Sequence, residues 1–141
     1  MSRVFLDTNI LIYFLEDSGP RGQRAAQIFS SLSNRGDILL ISSMTVGETL
    51  VKPKQLGNQF LEAKYRSLFD SPDAQVLPFD RKAGEIFATV RQNRSIKAPD
   101  AIQLATAASA QCDLFITNDD RLSKIIVPGI QFIVPMDRTP F

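Results

Sequence analysis

Five short apolar runs alternate with helix-forming segments along this chain, and that alternation leaves few folds open. Arg3-Val4-Phe5-Leu6, Ile38-Leu39-Leu40-Ile41, Ala74–Pro78, Asp113-Leu114-Phe115-Ile116-Thr117 and Ile130–Val134 each have the length of a buried strand. Thr8-Asn9 opens a helix to about Glu16, stopped by Asp17-Ser18-Gly19-Pro20. A second helix runs from Arg21 to about Asn34, with Ala25, Ala26, Ile28, Phe29 and Leu32 as its apolar face and Gly36 as its stop. Ser42 or Ser43 caps a third, which carries Val46, Leu50 and Val51 beside Glu48 and which Pro53 is expected to break. Gln55–Asp70 has helical spacing, Asp80 caps a helix to about Arg94, and Pro99 starts a small-residue helix from Asp100 to Ala108. Asn118-Asp119-Asp120 forms a turn into a short helical segment before the last strand. Strands alternating with helices predict a three-layer α/β/α fold around a mainly parallel central sheet. No repeat or linker divides residues 1–141, so they read as a single domain.

In such sheets ligands bind beyond the carboxyl ends of the strands. Four acids fall there: Asp7 and Asp119 follow strands, Glu48 lies on a helix that follows one, and Asp100 opens a helix. Each alone has an ordinary use, as a helix cap, a macrodipole partner, a solvated side chain or a turn former. Their surroundings weigh the other way. Asp7 is pressed between Phe5-Leu6 and Ile10-Leu11-Ile12, Asp100 is backed by alanines, and Asp119 ends a buried strand. A charge so placed is costly without a partner.

Four carboxylates at one point repel each other unless a cation joins them. The chain has no histidine and one cysteine, which excludes Ser-His-Asp and Cys-His sites and any His-ligated zinc. What remains is a hard divalent ion held by oxygens and used to hydrolyse a phosphodiester. Asp80, set between Phe79 and a helix start, reads as a cap and not as a site residue.

Composition limits the setting. Cys112 cannot form an internal disulfide, which fits a reducing cytoplasm and a small buried side chain. No apolar run approaches the roughly 20 residues of a membrane span. Ile10–Leu15 is apolar but lacks a basic leader and a cleavage site, so a signal peptide is not expected. A net charge of +1 argues against strong non-specific binding to nucleic acid, though not against a local basic rim. Arg91, Arg94 and Lys97 before Asp100, and Arg121 and Lys124 after Asp119, are candidates for that rim or for solvated helix faces.

The acidic segments resemble those of PIN-domain ribonucleases, most of all the VapC-type toxins of bacterial toxin–antitoxin pairs. The family's D-T-N start matches Asp7-Thr8-Asn9, and its S-x-x-[TV]-x-x-E-like stretch matches Ser43-Met44-Thr45-Val46-Gly47-Glu48. Its D-A-x-x-A-A-like helix start matches Asp100-Ala101-Ile102-Gln103-Leu104-Ala105, and its T-x-D matches Thr117-Asn118-Asp119. Leu122 stands where the family often has an aromatic, and Asp120 leaves open which neighbouring acid faces the metal.

The resemblance implies an endoribonuclease with catalytic Asp7, Glu48, Asp100 and Asp119. Asp7 and Asp100 would be the direct ligands of Mg²⁺, with Mn²⁺ able to substitute, and the other two acids would act partly through water. Thr8, Asn9, Thr117 and Asn118 are candidates for orienting carboxylates or water. The implied partners are an RNA substrate, a cognate antitoxin protein and a second copy of the chain in a homodimer, with no membrane. The apolar helices Ile10–Leu15 and Phe60–Phe69 are either core or partner surface. The rival readings are an RNA-processing nuclease without an antitoxin and a non-catalytic RNA- or protein-binding PIN-like module. A receiver-like domain ranks last, because it wants a lysine where Thr117-Asn118-Asp119 stands.

Overall fold

The computed structural model describes residues 1–141. Five strands, β1 (Arg3–Leu6), β2 (Ile38–Ser42), β3 (Ala74–Leu77), β4 (Cys112–Thr117) and β5 (Ile130–Pro135), form one sheet in the order β3-β2-β1-β4-β5. Every neighbouring pair is parallel, with Phe5 in register with Leu40 on one side and Phe115 on the other. The helices are α1 (Thr8–Glu16), α2 (Pro20–Arg35), α3 (Ser43–Leu56), α4 (Gln59–Phe69), α5 (Arg81–Val90) and α6 (Ala98–Ala110). This is the expected three-layer α/β/α arrangement.

The period-2 alternation of strand side chains divides the core into two. Val4, Leu6, Leu39, Ile41 and Ile116 face α1, α2 and α4, where Ile10, Leu11, Ala25, Ile28, Leu32 and Tyr65 are buried. Phe5, Leu40 and Phe115 face the other way, against Val90 of α5 and Ala101, Leu104 and Ala107 of α6. Phe5 and Phe115 stack with centroids 4.9 Å apart. Each large apolar side chain buried in this way contributes roughly 1.5–3 kcal/mol. The alanines of α6 keep that helix close to the sheet.

The chain departs from the sequence expectations in three places. Pro53 does not break its helix: α3 continues to Leu56, taking in Gln55 and Leu56, and stops at Gly57 with φ +62°. A proline removes one N–H···O bond, and the turn beyond it is closed by Asn58 N donating to Pro53 O at 2.8 Å. The helix after Asp80 ends at Val90, short of Arg94, because Asn93 Oδ1 accepts from Ser95 N (3.1 Å) and Ser95 Oγ (2.7 Å) and draws the backbone into a turn. β4 begins at Cys112, one residue before the start expected at Asp113. For residues 135–141 the sequence sets no expectation; they form a strap, in which a single 3₁₀ turn, Met136–Arg138, is followed by a segment held to α2 by Arg24, which donates to Met136 O (3.2 Å) and Phe141 O (2.7 Å).

The order of strands places a topological switch beside β1. The chain leaves β1 toward β2 on one side and returns later to β4 on the other. A crevice therefore opens at the carboxyl ends of β1 and β4, the position where open α/β sheets take ligands.

Candidate active site

Asp7 is the first residue past β1 and caps α1, its Oδ1 accepting from Thr8 N at 2.9 Å. Its backbone N–H donates to Ile116 O at 3.0 Å, which ties the β1 exit to β4. Thr117, the last residue of β4, donates from Oγ1 to Asp7 Oδ2 at 2.9 Å. Asp119 N donates back to that Thr117 oxygen at 3.0 Å, so one hydroxyl positions two acids.

Glu48 comes from the second turn of α3, whose start is capped by Ser42 Oγ accepting from Thr45 N at 3.0 Å. Thr8 Oγ1 donates to Glu48 Oε1 at 2.7 Å and holds it toward Asp7. Asp100 lies in the first turn of α6, behind Pro99. The four acids expected from the sequence thus line one pocket of about 190 Å³, together with Thr8, Asn9, Gln103, Asn118 and Pro99. Apart from Pro99, every side chain in its lining is polar or acidic.

Burial pushes Asp7 up to about 6, against the hydrogen bonds from Thr117 and Thr8, and the Asp100 carboxylate adds to the rise. Asp100 is raised as well, by burial first and then by the Asp119 and Glu48 carboxylates. Both shifts record burial first and the neighbouring carboxylates after it. Asp119 moves the other way, held low by Arg121. Arg121 donates from Nε to Oδ1 (3.1 Å) and from Nη2 to Oδ2 (2.8 Å), occupying both oxygens of that carboxylate.

The donors around the pocket are all oxygens, which suits a hard cation. No set of three or more of these acids is arranged to grip one ion directly. An ion that keeps several waters and takes one or two carboxylates fits this better than one needing a full cage.

Asp120 turns away from the pocket and pairs with Arg138 at 2.6 Å, so Asp119 is the acid that faces it. Asn118 also borders a neighbouring polar cleft of about 390 Å³, lined by Tyr13, Arg21, Asp120, Asp137 and Arg138. Arg91, Arg94 and Lys97 are exposed and do not line the acidic pocket. Of the basic residues singled out in the sequence, Arg121 is the one that reaches an acid of the site. A third cavity, between Ile86, Val90, Ile96, Ile125 and Val127, is apolar and holds no titratable side chain.

Sequence reasoning missed Gln103, Thr45 and Ser42, whose buried polar side chains lie beneath the acids. The available signal was helical spacing: Gln103 is one turn after Asp100 and Thr45 one turn before Glu48, on the faces that carry those acids.

The chain matches the PIN domain family over residues 4–127. No curated protein sequence matches it significantly. Among solved structures it is similar to a chain of VapBC2 from Rickettsia felis bound to a promoter DNA fragment, with TM-score 0.76 and 14% identity over 94% of this chain and 98% of that one. It is similar to a chain of DNA-bound VapBC from Salmonella typhimurium, with TM-score 0.74 and 22% identity over 96% and 99%. A chain of a toxin–antitoxin complex from Klebsiella pneumoniae matches with TM-score 0.69 and 28% identity over 90% and 94%.

Proposed function

The chain belongs to the PIN domain family, and from that premise we propose that it is a Mg²⁺-dependent endoribonuclease, the toxin of a toxin–antitoxin pair. One observation carries the reading: acids from four distant segments converge on a single polar pocket at the switch point of the sheet. The likeness to a Klebsiella toxin–antitoxin complex at 28% identity supports the toxin role. The partners in this reading are a cognate antitoxin and a second copy of the chain. The substrate is single-stranded or looped RNA, whose backbone is accessible.

Asp7 and Asp100 would hold the ion, and Glu48 and Asp119 would complete the pocket, partly through water. When bound, the divalent ion neutralises the acids and polarises the phosphate under attack. Burial raises the proton affinity of Asp7 to about 6, so a cation beside it would favour the ionised carboxylate. Glu48 has Oε1 committed to Thr8, which leaves Oε2 to take a proton from the attacking water as the P–O bond breaks, the departing oxygen taking its proton from solvent. Arg121 stands at the pocket with its charge toward Asp119 and Asp100, where an incoming phosphate meets it.

The test is cleavage of mixed cellular RNA by purified protein with Mg²⁺, with EDTA, and after Asp100→Asn. Cleavage that needs the ion and falls at least about 100-fold in the variant is the expected result, the scale of losing one charge-stabilising group. Equal degradation by wild type and variant would leave the nuclease reading without support.

A further inference from the structure

Gln103 is 3% exposed, deep in a domain whose buried side chains are mostly apolar. It forms part of the lining of the acidic pocket, and its amide contacts groups from three other elements. Nε2 lies 2.9 Å from Thr8 Oγ1, 2.8 Å from Thr45 Oγ1 and 3.3 Å from Asp7 Oδ1, and Oε1 accepts from Ser42 Oγ. The orientation of the amide follows from these neighbours. A carboxylate only accepts, so the nitrogen must face Asp7 and the oxygen must face the Ser42 hydroxyl.

The remaining protons then have fixed places. Thr8 Oγ1 accepts from Gln103 and lies 2.8 Å from Thr45 Oγ1, so its own proton goes to Glu48 Oε1 at 2.7 Å. The result is a directed chain from Ser42 at the end of β2, through Gln103 of α6 and Thr8 of α1, to Glu48 of α3. Glu48 is exposed and would be free to swing without that last bond. Asp7 takes a weaker direct bond from the same amide.

Resting on the reading of the pocket as a cation-dependent site, we propose that Gln103 is a positioning residue. It directs the Thr8 hydroxyl and steadies Asp7, so that Asp7 and Glu48 face the ion-binding space together. The competing account is that Gln103 only satisfies buried polar groups. The two differ in what the ion sees: a packing role lowers stability equally with and without cation, whereas a positioning role lowers the affinity for the cation itself.

The experiment uses the full chain and Mn²⁺ alone as probe, by titration calorimetry, with thermal melts in EDTA and in saturating Mn²⁺. Gln103→Met keeps the length of the side chain and removes its donors and acceptor. Its Mn²⁺ affinity is expected to fall about 10–100-fold, the usual cost of losing a group that orients a metal ligand, and the melting increment given by Mn²⁺ to shrink. Thr8→Val cuts the last link without touching Gln103 and is expected to weaken Mn²⁺ similarly, while Thr8→Ser restores wild-type affinity. In a folded double variant the two losses should not add, because they break one chain. Should Gln103→Met fail to fold, the Thr8→Val and Thr8→Ser pair decides alone. Unchanged Mn²⁺ affinity in folded Gln103→Met or Thr8→Val overturns the proposal and leaves the site reading intact. A wild-type protein that binds no divalent ion overturns the site reading, and the role of Gln103 with it.

Discussion

Asp7 holds the sharpest conflict in the molecule, a carboxylate 8% exposed at the end of the central strand. Its proton affinity in the folded chain is raised to about 6 from an ordinary 3.8. Protons therefore bind the folded state more tightly than the unfolded one, and the metal-free protein loses stability as pH rises from about 4 through about 6. A shift of about two units corresponds to about 3 kcal/mol, fully developed above the folded value. Asp7→Asn keeps the shape and removes the charge. In EDTA, its urea-unfolding free energy should exceed that of the wild type by a margin that opens between pH 4 and pH 7 and then stays level near 3 kcal/mol. A constant margin across that range would mean that Asp7 is ionised at no cost. The same residue explains why the site was legible in the sequence: an acid among Phe5, Leu6, Ile10 and Leu11 has no stable place without a partner. Gln103 was not legible, because an amide on a helix states neither which way it points nor which hydroxyls lie beneath it. Its role depends on Ser42, Thr45 and Thr8 arriving from other elements.

At the scale of elements, the strands and most helix ends followed local chemistry that a sequence displays. Gly36 at φ +71° ends α2, Ser42 caps α3 and Asp80 caps α5, as their residue types require. Pro53 and Arg94 depart from local propensity, which competes there with packing and with a side-chain turn. The junction of α1 and α2 hides a constraint that no propensity describes. Gly22 is buried where the start of α2 crosses the end of α1, and a Cβ built on it would lie 1.6 Å from Asp17 O. The neighbour is backbone, so a side chain can enter only if the two helices part. Gly22→Ala is expected to destabilise by several kcal/mol, beyond the usual range for a single substitution, despite the better helix propensity of alanine. Because α1 carries Asp7 and Thr8 at its start, the loss in a thermal melt should come with weaker Mn²⁺ binding. A melting temperature equal to wild type would show that the junction has slack.

The whole molecule carries a net charge of +1, and its basic residues near the pocket are largely spoken for. Arg121 is paired with Asp119, Arg138 with Asp120, and Arg21 lies over the Tyr13 ring at 5.4 Å. A chain with so little free positive field cannot draw in RNA by long-range attraction, so affinity must come from contacts made at the pocket, with the bound ion among them. Single-stranded nucleic acid binding falls with salt by a log–log slope of about −0.7 for each phosphate neutralised. Two or three local arginines therefore predict a shallow slope, no steeper than about −2. Binding of a single-stranded RNA to cleavage-deficient Asp100→Asn protein, measured between 50 and 300 mM KCl at fixed Mg²⁺, checks this. The alternative is a basic track through Arg91, Arg94 and Lys97, all exposed and outside the lining of the acidic pocket. A slope steeper than about −4 that flattens on changing those three to alanine would move the RNA path onto that surface. The shallow slope would keep it at the pocket and in the polar cleft that Asn118 shares with it.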